Sequence, residues 1–165
     1  MNIKRIAKHL LMTHWQVNRA FPRQALIAIE HAIKASETQH AGEIRFVVES
    51  ALDSTPLFKG QSTRERAIDV FSQLRIWDTQ HNNGLLIYLL LADRAVEIIA
   101  DRGIHSKVGS REWENICRMM EAAFKNANYE LGVISGIEAV AHHLSEHYPA
   151  FEAEQNELPD KPVVL

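Results

Sequence analysis

The chain has 165 residues, 46% hydrophobic and 24% charged, which suits one globular domain with a proper core. Its longest apolar run, Leu85 to Ala92, falls far short of the ~20 residues a membrane span needs, and a lone Cys117 excludes an internal disulfide. The net charge of -3 also excludes a globally basic, nucleic-acid-binding surface. A reducing, cytoplasmic setting is expected, since the start also lacks the apolar core and cleavage site of a secretory leader.

The charge is unevenly spread. Residues 1–23 contain Lys4, Arg5, Lys8, Arg19 and Arg23 and no acid, so the remainder carries -8. Ile3, Ile6, Ala7, Leu10 and Leu11 recur there at helical spacing, and residues 1–20 read as a basic amphipathic helix. Such a helix packs its apolar stripe on the domain or a partner chain. Alternatively, it lies on an anionic membrane surface through residues 3–19, leaving the protein cytoplasmic but peripheral to the membrane.

Phe21-Pro22 opens a second helix with Leu26, Ile29 and Ile33 inward, ending near His40 to Gly42. Ile44 to Val48 is rich in β-branched and aromatic residues and predicts a strand; residues 50–61, with Pro56 and Gly60, predict a loop. Ser62 and Glu65 form a capping box that starts a third helix, whose apolar face is Ala67, Val70, Phe71 and Leu74. Leu85 to Leu91 is apolar throughout, so it predicts a strand covered on both faces. Ala95 to Ala100 is a third strand after a short turn.

Ser110 is expected to cap a fourth helix carrying Trp113, Ile116, Met120 and Phe124. A fifth runs from Tyr129 to His147, with Val133, Ile137, Val140 and Leu144 inward and Gly132 and Gly136 admitting a close neighbour. Residues 151–165 read as an extended acidic, proline-containing tail. The order α-α-β-α-β-β-α-α predicts an α/β fold over residues 21–150: a small mixed sheet covered by helices on both faces. Strands one and two should be parallel through a right-handed crossover, and strands two and three antiparallel.

If the last two strands form a hairpin, Asp101 and Arg102 return beside His81, Asn82 and Asn83, with Asp78 just upstream. Oxygen donors gathered this way suit a hard cation, Ca2+ or Mg2+, held by Asp78 and Asp101 carboxylates with amide carbonyls of Asn82 or Asn83. Arg102 would orient an anion such as phosphate. The competing reading is structural: Asn82-Asn83-Gly84 is a natural turn, and Asp–Arg pairs often tie loops together. His143, Glu146 and His147 match a zinc-protease spacing, but Pro149 ends the helix at once, and a solvated, dipole-facing run explains them equally. Cys117 sits between Ile116 and Met120 on a helix face and reads as a core residue.

The segments Gly42 to Val48, Phe71, Trp77-Asp78, Asn82 to Ile87, Asp93-Arg94 and Ile98 to Gly103 recur in a characteristic order. With Trp113, Met120, Phe124 and Tyr129 to Gly132, they resemble the TPM domain family, named for thylakoid-lumen, photosystem and nicotinic-receptor-associated members. The likeness covers roughly residues 22–150. It implies an α/β/α sandwich. Some members are acid phosphatases, some bind divalent cations, and others are accessory factors in membrane-protein maintenance or trafficking. This chain is similar to a compact, soluble bacterial branch.

Two functional expectations follow from the resemblance. One is a binding or accessory module that takes up Ca2+ or Mg2+ and acts on partner proteins or a membrane surface. The other is a divalent-cation-dependent acid phosphatase of low specificity. In that enzyme Asp78, Asn82, Asn83 and Asp101 hold the metal, Arg102 clamps phosphate, and His81 is the general acid.

Overall fold

The computed structural model describes residues 3–150 and 156–165. Its helices are α1 (Ile3–Leu11), α2 (His14–Ala20), α3 (Arg23–Glu37), α4 (Ser54–Phe58), α5 (Thr63–Gln73), α6 (Arg102–Val108), α7 (Ser110–Lys125) and α8 (Tyr129–His147). The strands are β1 (Glu43–Glu49), β2 (Gly84–Leu90), β3 (Ala95–Ala100) and β4 (Val163–Val164), arranged in the order β3-β2-β1-β4. β1 and β2 run parallel, with Glu43 opposite Gly84. β2 and β3 are antiparallel, with Leu85 opposite Ala100. These are the pairings that the helix crossover and the four-residue turn demand.

The period-two alternation of the strands builds two cores. Ile44, Phe46 and Val48 of β1 and Leu85, Ile87 and Leu89 of β2 face α3, α7 and α8 in the larger cluster. Val47, Leu86, Tyr88 and Leu90 face the other way, against α5 and Leu57 of α4. β2 is therefore buried on both sides, as its uninterrupted apolar run requires. The result is a helix–sheet–helix sandwich. No helix among the described residues is long and apolar enough to cross a membrane.

Several local expectations hold closely. Glu65 N–H donates to Ser62 Oγ at 3.2 Å and Ser62 N–H to Glu65 Oε2 at 2.7 Å, completing the capping box of α5. α8 has the expected limits. A Cβ on Gly132 would lie 2.7 Å from the Phe124 ring, and one on Gly136 would collide with the Met120 sulfur, so both glycines let α7 and α8 approach closely.

Other expectations are corrected. Residues 1–20 do not form one helix: the chain breaks at Met12-Thr13, where Gln16 Oε1 accepts the Thr13 N–H at 3.0 Å and restarts it as α2. α1 also faces the opposite way from an ordinary packed amphipathic helix. Its polar side is turned inward, because Arg5 Nε donates to Asp93 Oδ2 at 2.9 Å and Leu52 N–H donates to the buried His9 Nδ1 at 3.0 Å. His9 Nε2 lies 3.1 Å from Asp93 Oδ1. Ile6 packs on the smaller core, while Ile3, Leu10 and Leu11 are exposed.

Two short helices, α4 and α6, occupy stretches read as loop or strand end. Ser110 is already helical; the boundary is Gly109, whose φ of 86° is open to glycine and lets α6 end where α7 begins. The tail returns to the sheet, and β4 pairs with Val47 and Val48 as a parallel edge strand.

Candidate functional site

The hairpin brings the two clusters together. Asp101 N–H donates to the Gly84 carbonyl at 2.9 Å, so the end of β3 lies beside the start of β2. Gly84 is required there, because a Cβ would collide with the Ile76 carbonyl oxygen. Asn82, at φ 51°, turns the chain into β2, and its side-chain oxygen accepts from Arg102 Nε at 3.3 Å. Its carbonyl accepts the Ile104 N–H at 3.4 Å.

Asp101 is the N-cap of α6, and its Oδ1 accepts the Arg102 N–H at 2.7 Å. The buried Asn83 donates from Nδ2 to the Ala41 carbonyl at 2.8 Å, and its own N–H is held by Thr79 Oγ1 at 3.2 Å. The remaining oxygen of each side chain, Asp101 Oδ2 and Asn83 Oδ1, is buried and finds no hydrogen-bond partner among the described residues. Buried acceptors left in that state are costly and uncommon. Gly103 completes the rim: a Cβ there would collide with the Asn82 carbonyl, and would lie 2.8 Å from Tyr148 Oη and 2.9 Å from the His81 carbonyl.

Asn82, Asn83, Asp101 and Arg102 thus share one rim. The Asp78 and His81 side chains lie exposed on the preceding turn. Among the described residues no group of three or more His, Cys, Asp and Glu side chains is gathered closely enough to hold a metal ion. The oxygens present at the rim are mostly amide, carbonyl and hydroxyl, with one carboxylate. That donor chemistry fits a hard cation bound weakly and does not fit a tight transition-metal centre.

Sequence reasoning missed three features. Asp101, expected as a cation ligand just beyond the third strand, is also the cap of α6, a role the reading of the sequence does not assign it. The charged residues of β1 were also passed over. Glu49 takes a bidentate ion pair from Arg66 of α5 at 2.8 and 3.0 Å and accepts from Tyr88 Oη at 2.5 Å. Burial and the neighbouring Glu49 carboxylate push the Tyr88 hydroxyl well above its ordinary range. Glu43 accepts the Glu157 and Leu158 N–H groups at 3.0 Å each, and so anchors the tail. Beside it, burial, helped by Asp160 and Glu43, pushes Glu37 up to about 9. The alternation of Glu43, Arg45 and Glu49 along one strand face was the available signal.

The other candidates have structural surroundings. His143 packs edge-on against Trp113 at 5.6 Å, and burial lowers its proton affinity. The Cys117 thiol is pushed up to about 12, chiefly by burial, which makes it a poor nucleophile at neutral pH.

The profile of the TPM domain matches residues 18–143. Among solved structures, the chain is similar to the BA42 protein of the psychrophilic bacterium Bizionia argentinensis, with 29% identity and a TM-score of 0.75. That match covers 86% of this chain and 92% of the other. It also shares its fold with an N-terminal domain of a protein from P. gingivalis, at 23% identity and a TM-score of 0.58, covering 74% and 76% of the two chains. No curated protein matches. With three quarters of its length inside the profile, this chain belongs to the TPM domain family.

Proposed function

We propose that this chain is a binding module that takes up Ca2+ or Mg2+ at the β2–β3 rim and uses that end of the sandwich as an accessory surface for other proteins. The observation that carries the reading is that two buried side-chain oxygens, Asp101 Oδ2 and Asn83 Oδ1, have no hydrogen-bond partner among the described residues, on residues that adjoin Gly84 through the Asp101 N–H bond to its carbonyl and through the chain. Asn82, Asn83 and Asp101 would hold the ion, with the neighbouring carbonyls and water completing an oxygen shell. With a single carboxylate so placed, affinity should be weak, on the order of the 10⁻⁴–10⁻³ M typical of low-charge sites. Asp78 and His81, exposed beside the rim, would act through bridging water or not at all.

The test is a titration of Ca2+ and of Mg2+ followed by amide chemical shifts. Saturating changes at Asn82, Asn83 and Asp101 are expected, and they should vanish in Asp101→Asn. Asparagine caps a helix as well as aspartate does, so that variant removes the ligand charge while keeping α6. Shifts that survive Asp101→Asn, or that never saturate, would refute the site. The phosphatase reading is tested in the same sample: turnover of a generic phosphomonoester that is lost in Asp101→Asn and in Arg102→Gln would establish an enzyme instead.

A further inference from the structure

Among the described residues, the outward face of α1 and α2 carries the largest concentration of exposed large apolar side chains. Ile3, Leu10, Leu11 and Trp15 are 75%, 62%, 75% and 65% exposed. On α1 the three aliphatic residues fall on one side of the helix, and Lys4 and Lys8, also exposed, border them. Arg5 and His9 on the opposite side are fastened to Asp93 and Leu52, so the face is held outward by specific polar bonds. A contiguous exposed apolar patch rimmed by polar side chains marks a protein or membrane interaction site, which argues for an occupant.

Basic side chains line the adjoining clefts. One cavity of about 450 Å³ is bounded by Lys8, Leu11, Met12 and Arg94, and a second of about 350 Å³ by Trp15, Arg19, Arg94 and Tyr129. The acid in the first, Asp93, is already engaged by Arg5 and His9. Arg19 stacks over the Trp15 ring at 5.5 Å. Arg94 adopts φ 51°, a left-handed backbone that glycine or asparagine takes more cheaply. Both cavities lie beyond the carboxyl end of β2, the rim opposite the cation site.

We propose that this face docks on an anionic phospholipid bilayer, with Ile3, Leu10, Leu11 and Trp15 entering the headgroup boundary and Lys8, Arg19 and Arg94 receiving lipid phosphates. Charge decides against a second copy: the exposed Lys4, Lys8, Arg19 and Arg94 adjoin the apolar side chains and residues 1–23 contain no acid, so self-association through this face would bring like charges together. An interfacial helix needs no more than this combination of apolar side chains, a tryptophan and flanking lysines.

The experiment is co-sedimentation of the whole chain with phosphatidylglycerol–phosphatidylcholine vesicles and with phosphatidylcholine vesicles alone. Binding to the first and not the second is expected, together with a blue shift of tryptophan emission that disappears in Trp15→Phe. Leu10→Ser with Leu11→Ser, both at exposed positions, should reduce binding at least about tenfold. Arg94→Gly, which relieves the backbone strain, should reduce it roughly fivefold. Three results would each overturn the proposal. One is equal binding to neutral vesicles. Another is saturable uptake of inorganic phosphate without vesicle binding, which would mark a small-anion site. The third is a concentration-dependent dimer abolished by the double serine variant, which would mark a self-interface. Because these residues lie on the rim away from Asp101, failure here leaves the cation titration unaffected.

Discussion

Gly103 shows how little room the β2–β3 rim leaves. A single methyl group there would meet the Asn82 carbonyl, the His81 carbonyl and the Tyr148 hydroxyl together. Gly103→Ala is therefore expected to destabilise the fold by about 1–3 kcal/mol, as overpacking does, and to weaken the cation response with it. Thermal unfolding of that variant beside Asp101→Asn separates the two effects, since the latter should leave stability nearly unchanged. Glu43 offers a second test at this scale. Glu43→Ala removes the acceptor of two tail N–H groups and should cost roughly 1–3 kcal/mol. Faster hydrogen exchange at Glu157 and Leu158, with little change in β2, is the expected signature.

Elements with strong periodicity were legible from the sequence, and those made by tertiary partners were not. α8, β3 and the capping box of α5 each carry their own local signal, so their limits agree with the pattern. β4 has two residues and no signal of its own; it exists because Val47 and Val48 leave an open sheet edge and Glu43 holds the approaching chain. The orientation of α1 was likewise hidden, because hydrophobic spacing cannot reveal that Asp93, 88 residues from Arg5, claims the polar face. The rim was foreseen through the hairpin, and Asn82, Asn83, Asp101 and Arg102 do meet there. Asp78 was placed only by its nearness in sequence. If β4 protects the β1 edge, Val163→Asp should increase aggregation at unchanged helix content, measured by light scattering and far-ultraviolet circular dichroism.

At the scale of the whole molecule, two buried groups set opposite pH limbs. Glu37, pushed up to about 9 by burial and by nearby Asp160 and Glu43, binds its proton more tightly folded than unfolded. Stability is therefore lost as pH rises from about 4.5 towards 9. His40, lowered to about 4 chiefly by burial, does the reverse, and stability is lost as pH falls from about 6.5 towards 4. Together they place the most stable condition near mildly acidic pH. Glu37→Gln should flatten the alkaline limb, raising Tm at pH 8 by about 2–4 °C, and His40→Asn should flatten the acid limb. A Tm profile against pH for the three proteins checks the signs.

The separation of the two rims has its own consequence. β2 runs seven residues from Gly84 to Leu90, about 20 Å from one rim to the other. That exceeds two screening lengths at physiological salt, about 8 Å each. A protein resting on lipid through Leu11 and Trp15 would thus hold Asp101 beyond the ion-enriched layer at the bilayer. Its occupancy would report the calcium or magnesium of the surrounding medium, whatever the density of acidic lipid beneath it.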